Sequence, residues 1–139
     1  MSLLNVQDAI VAELATLSQT VYDDGVPEDT RLVFDPSGML LPYIVVEHSG
    51  ATMTPDGQPI TGVKDASSEA SVSVMCIGPT QRSSRQVAEL VRQKLTGFSG
   101  VEFGELKPVS APYTYIDGRT QPVRYVSEIV FGFTLNSVW

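Results

Sequence analysis

The closing stretch "PVRYVSEIVFGFTLNSVW" constrains the fold more than any other part of the chain. Val123, Tyr125, Ile129, Phe131, Phe133 and Leu135 recur at every second position, with Ser127 as an interruption. Arg124, Glu128 and Thr134 alternate with them, together with Val126 and Val130. A period of two sends these sets to opposite faces of a strand. It is the longest alternating run in the sequence, so it is expected to be a central strand, with one face sealed by another layer.

A second alternating run, "EASVSVMCIG" at 69–78, places Ala70, Val72, Val74 and Cys76 on one side. Ser71, Ser73, Met75 and Ile77 lie on the other, which suits a strand covered by a helix. "YIVVEH" at 43–48 is β-branched and aromatic, another strand. "RLVFD" at 31–35 is a short strand candidate. Prolines 108 and 112 interrupt "GVEFGELKPVSAPYTYIDG", which therefore fits an edge strand or a loop.

Two segments carry helical spacing instead. Over 5–22, Val6, Ile10, Leu14, Leu17 and Val21 form one stripe, with Asn5 as N-cap and Asp8 in the first turn. Over about 83–96, Val87, Leu90, Val91 and Leu95 form another, with Gly97 as the stop and Arg92 and Lys94 near the C-terminus. Between the strands at 43–48 and 69–78 lies a long polar excursion whose "PDG" at 55–57 is a turn signature. An extended hairpin is expected there, with Thr54, Asp56 and Gln58 near its tip as candidate contacts with a neighbouring subunit. The order helix, strands, helix, strands predicts a single α+β domain over 1–139. Its sheet is expected to be mainly antiparallel, with two helices packed on one face and a long loop or hairpin.

Composition narrows the function. A net charge of −7 argues against gripping nucleic acid phosphates, and suits either plain solubility or a surface that nucleic acid slides past. One cysteine and one histidine exclude an intrachain disulfide and a Cys-rich zinc site. Cys76 sits in an apolar run and reads as a small buried hydrophobe rather than a nucleophile. No apolar run reaches membrane-spanning length, and "MSLLNVQDAIVAEL" lacks the basic start of a signal peptide, so an intracellular or assembled protein with no membrane partner is expected. No catalytic or dinucleotide motif occurs and the acids have no metal-ligand spacing, so the expectation is no enzyme, no cofactor and no metal.

"GPTQRSSR" at 78–85 lies where a strand hands over to a helix, a place where many proteins hold phosphate. It has a single glycine and no lysine, unlike a phosphate loop. Arg82 and Arg85 oppose the helix dipole. Three readings stay open: a solvated helix end capped by Thr80, Ser83 or Ser84, a contact with acids of an adjacent subunit, and a small-anion site.

The opening helix, "PYIVV", the long hairpin-like loop, "VMCIGPTQRSSRQVAELVRQKL" and "RYVSEIVFGFTL" together resemble tail terminator (tail-completion) proteins of long-tailed bacteriophages. The resemblance implies a subunit of a homo-oligomeric, hexameric ring in the virion, at the head-tail junction. Such a ring caps the head-proximal end of the tail tube and ends its polymerisation. Its implied partners are the tail tube protein and the head connector protein, with DNA passing through the lumen without specific binding. A head-tail connector or neck protein fits similarly. A small-molecule-binding domain or enzyme is the rival class, and a size measurement separates it from a ring subunit.

Overall fold

The computed structural model describes residues 3–26, 32–48, 52–53, 68–100, 103–109, 113–118 and 123–135. In chain order the elements are α1 (Leu3–Leu14), β1 (Thr20–Asp23), β2 (Tyr43–His48), β3 (Thr52–Met53) and β4 (Ser68–Gly78). They continue with α2 (Gln81–Leu95), β5 (Lys107–Pro108), β6 (Tyr113–Asp117) and β7 (Arg124–Leu135). The fold is α+β, as the element order predicted. β7 is central: it pairs antiparallel with β4 from Ser68↔Leu135 to Gly78↔Tyr125. β2 and β3 pair with the far side of β4, and β1 lies parallel beside β2. β5 and β6, the proline-flanked pieces, line the outer side of β7 as edge strands.

Register explains the core. Ile44↔Cys76↔Ser127 and Val46↔Val74↔Ile129 are rows across three strands, so the alternations of β2, β4 and β7 fall on one shared face. Both helices cover that face: Val6, Ile10 and Leu14 of α1 join Val87, Ala88, Val91 and Leu95 of α2 in a single cluster with Val72, Phe131 and Phe133. Lys94 of α2 reaches Glu13 of α1 at 3.5 Å, a half-exposed tie of small energetic weight. On the opposite face Leu40, Tyr43, Val45, Ile77 and Val126 form a smaller cluster. There Arg124 Nη1 donates to the Tyr43 hydroxyl at 3.0 Å, and burial raises the Tyr43 pKa against the opposing pull of Arg124.

Several boundaries differ from the sequence reading. α1 ends at Leu14 rather than 22, and Val21 belongs to β1, opposite Ile44. Thr16, Ser18, Thr20 and Val21 favour leaving the helix, because β-branched and hydroxyl side chains lose freedom or compete for backbone there. Thr16 Oγ1 donates to the Glu13 carbonyl at 2.7 Å and closes the last turn. Leu17 and Val21 still pack on the same core from outside the helix, which is why the stripe seemed to continue. Asn5 is inside α1 rather than its N-cap, and no acid stands in the first turn.

α2 begins at Gln81, two residues early, and Leu90 is 41% exposed rather than part of the stripe. Ser84 and Ala88 take its place, because the buried arc is centred on Ser84, Val87, Val91 and Leu95. "RLVFD" yields only an isolated bridge, Phe34↔Leu40, since Asp35 starts a tight turn immediately after it. Asp35 Oδ1 accepts from the Ser37 amide, the Ser37 hydroxyl and the Met39 amide. The expected long hairpin is present at its base, where Thr52↔Glu69 and Met53↔Ser68 pair antiparallel. Thr54, Asp56 and Gln58 lie outside the described residues.

Candidate functional site

The turn between β4 and α2 is tightly specified. Thr80 adopts an extended conformation and its hydroxyl accepts from the Ser83 amide, while the Ser83 hydroxyl accepts from the Thr80 amide. This capping box satisfies helix-end donors that an anion would otherwise use. A Cβ on Gly78 would collide with the Ser83 hydroxyl, so the glycine is required for the close approach. The capping box thus takes the Thr80 and Ser83 amides out of reach of a small anion, and Thr80 is the cap.

Arg82 and Arg85 are both exposed on the first turns of α2, three residues apart and so on neighbouring positions of one face. Arg85 Nε donates to Thr114 Oγ1 of β6 at 3.3 Å. Behind it runs a chain of hydroxyls. Thr114 Oγ1 and Ser127 Oγ are 2.8 Å apart, Ser127 Oγ and Ser84 Oγ are 2.9 Å apart, and Ser84 Oγ donates to the Gln81 carbonyl at 3.1 Å. Ser84 and Ser127 are fully buried, so each hydroxyl has its partner where water is excluded. The chain fixes α2 against β7 and β6. Between α2 and β6 it leaves an open groove of about 900 Å³, walled by Arg85, Glu89, Arg92, Tyr113 and Thr114.

The groove is lined by charged and hydroxyl groups. Among the described residues that line it there is no histidine or cysteine. Cys76 is far inside the helix-face core, where burial pushes its thiol up to about 12. At neutral pH that thiol is protonated and unreactive. Among the described residues no cluster of histidine, cysteine and carboxylates could hold a metal ion, and no helix is long and apolar enough to cross a membrane.

Two arrangements were not visible in the sequence. One is the hydroxyl chain itself, whose clue was Ser127 breaking the apolar face of β7. The other lies at the far edge of the sheet, where the Gln7 amide nitrogen of α1 donates to Asp23 Oδ1 at 2.6 Å and to Asp24 Oδ2 at 2.8 Å. Gln7 is buried while both aspartates are exposed, and Asp24 has a positive φ of 62°. One buried amide thus holds two like charges side by side at a corner of the molecule. Nothing in the sequence linked these three residues while α1 was expected to run on through Asp23's neighbours.

No protein-family model matches the chain, and no curated protein matches it. Among solved structures, a chain from the virion of a native gene transfer agent particle is similar in fold. It is 14% identical, with a TM-score of 0.54, and the likeness covers 96% of this chain and 89% of that one. At that identity the likeness speaks for the fold.

Proposed function

We propose that this chain is a structural subunit of a phage-type virion. It forms the ring that caps the head-proximal end of the tail tube, ends polymerisation and joins the tail to the head connector. The observation that carries the reading is the fold likeness to a chain of a gene transfer agent virion, which spans nearly the whole of both chains. The resemblance of the sequence to tail terminators makes the finer assignment. The antiparallel pairing of β3 with the start of β4 supports it, because it joins the two ends of the segment whose sequence predicts an extended hairpin reaching toward a neighbour. The net charge of −7 supports a lumen that repels DNA rather than holding it.

Electron microscopy of tail tubes assembled with and without the protein tests this. With it, tubes of uniform length carry a closed ring at one end. Tubes of uniform length formed without it would overturn the terminator role. A ring found on the head portal and never on the tube would make it a neck protein instead.

A further inference from the structure

The two edges of the sheet are chemically complementary within two residues' rise of each other. Across the strands, Val21, Ile44, Cys76, Ser127 and Thr114 form one row, and Thr20, Tyr43, Ile77, Val126 and Tyr115 form the row beside it. β1 and β6 therefore end the same rows on opposite edges, and among the described strands β1 pairs only with β2 and β6 only with β7. Asp23 stands two residues along β1 from Val21, about 7 Å up the strand. It shares Val21's face, the one the helices cover. Arg85 rests on Thr114, on the same face at the opposite edge. So the helix face carries the Asp23–Asp24 corner at one edge, and Arg82, Arg85 and Arg92, three cations against the single carboxylate of Glu89, along α2 at the other.

The other face repeats the pattern with apolar groups. At the β6 edge Tyr113 is 59% exposed, with its ring 5.8 Å from that of Tyr115. Near the β1 edge Val33 and Leu41 are exposed, beside a small hollow they share with Thr20 and Tyr22. Strand direction also fits. β6 runs antiparallel to β7, β7 to β4, β4 to β2, and β1 runs with β2. A copy set alongside without being turned over brings its β1 antiparallel to β6, the sense of pairing used through most of the sheet.

We infer that the partner of the α2–β6 groove is a second copy of this chain. The Asp23–Asp24 corner of one copy faces Arg82, Arg85 and Arg92 of the next, edge to edge and head to tail. Such a contact uses two different surfaces, so it propagates rather than stopping at a dimer, and it closes as a ring where the rotation from copy to copy closes. Gln7 acts as a positioning residue, holding both carboxylates toward the neighbour before contact, which lessens the ordering cost of association. The inference rests on the ring reading of the preceding subsection and names the surfaces that ring would use.

The test combines charge reversal with cross-linking. Thr20→Cys and Tyr115→Cys in one chain place thiols at the two ends of one row, and buried Cys76 gives no background. Under mild oxidation of the concentrated protein, and again on tail tubes, a ladder of multimers ending in a closed ring is expected. Arg82→Glu with Arg85→Glu should weaken assembly roughly thirtyfold or more, as should Asp23→Lys with Asp24→Asn, asparagine being tolerant of the positive φ. An equimolar mixture of the two variants should restore the ladder, because alternating copies meet opposite charges at every joint. Circular dichroism checks that each variant is folded, and Gln7→Leu supplies a milder lesion of the same edge. A cross-linked product that stops at dimers, a ladder indifferent to charge reversal, or no ladder on tubes that carry a ring would each overturn the inference. Capped tubes without a ladder sink the interface and leave the terminator role standing. A charge-dependent ladder with uncapped, overgrown tubes does the reverse.

Discussion

On the helix-covered face of the sheet Ile44, Val72, Val74, Ile129 and Phe131 are wholly buried. On the opposite face Tyr43, Val45, Ile77 and Val126 make a small cluster, and Val33, Phe34, Met39 and Leu41 beside it stay 41–51% exposed. Both faces are apolar for the same reason: β2 and the ends of β4 and β7 carry hydrophobic residues at odd and even positions alike. What differs is the cover. Two amphipathic helices supply a continuous second layer to one face, whereas among the described residues the other has only the turn around Asp35 and its flanking residues. The sealed face sets the stability of the fold. Apolar area left over on the open face and at the β6 edge contributes little to that stability, and patches of this kind mark interaction surfaces.

Truncating a side chain on each face tests that division most severely. Phe131→Ala removes a ring with no solvent exposure from the centre of the helix-face core, and should cost about 3–5 kcal/mol in urea denaturation. Phe34→Ala, at 46% exposure, should stay within about 0.5 kcal/mol of wild type. Comparable losses from the two would mean that the open face is as much a core as the sealed one.

The next effect concerns how the sealed layer is locked in place. Ser127→Ala deprives both Ser84 and Thr114 of a partner in a buried setting, and should cost about 1–3 kcal/mol. Adding Ser84→Ala should cost far less than Ser84→Ala alone, because the two hydroxyls act as a unit. Additive losses in that double-mutant cycle would show the hydroxyls to be independent. Smaller again is the helix cap: Thr80→Ala should cost about 1 kcal/mol, since the Ser83 amide loses its acceptor.

How much of this could be read in advance follows from which interactions are local. β2, β4 and β7 were legible because strand alternation is written into consecutive residues, and β2 matches its expected bounds residue for residue. Prolines 108 and 112 left that stretch as an edge strand or a loop, and it forms two short edge strands on β7. The end of α1 was not: Leu17 and Val21 keep helical spacing yet reach the core through a turn and a strand, so the period alone gave the wrong element. Leu90 misled for the converse reason, an apolar residue just beyond the buried arc of its helix. At the candidate site Arg82 and Arg85 were found through their odd place at a helix start. The hydroxyl chain joins residues 13 and 43 positions apart, and Gln7 meets Asp23 and Asp24 across 16 and 17. Such pairings depend on which elements become neighbours, which no local pattern states.

The smallest effect sharpens the comparison at the open face, where the turn that carries the exposed apolar residues depends on one carboxylate. The Asp35 pKa is lowered from its ordinary 3.8, first by the Ser37 hydroxyl and then by the Met39 backbone, with burial opposing. A depressed folded-state pKa means that the charged form is favoured by the turn. The ordering it provides is therefore complete above the unfolded value, and is lost as pH falls through the folded one. Because the group sits in a surface turn outside both apolar clusters, the sealed core should not register the change. Amide resonances of Ser37 and Met39 should shift and exchange faster below about pH 3.8, while those of β4 and β7 hold until global acid unfolding. Asp35→Asn should abolish the pH step at these two amides and leave thermal stability at pH 7 nearly unchanged. A step that persists in the asparagine variant, or one that appears in the β4 and β7 amides at the same pH, would tie the turn to the core and remove the distinction between the two faces.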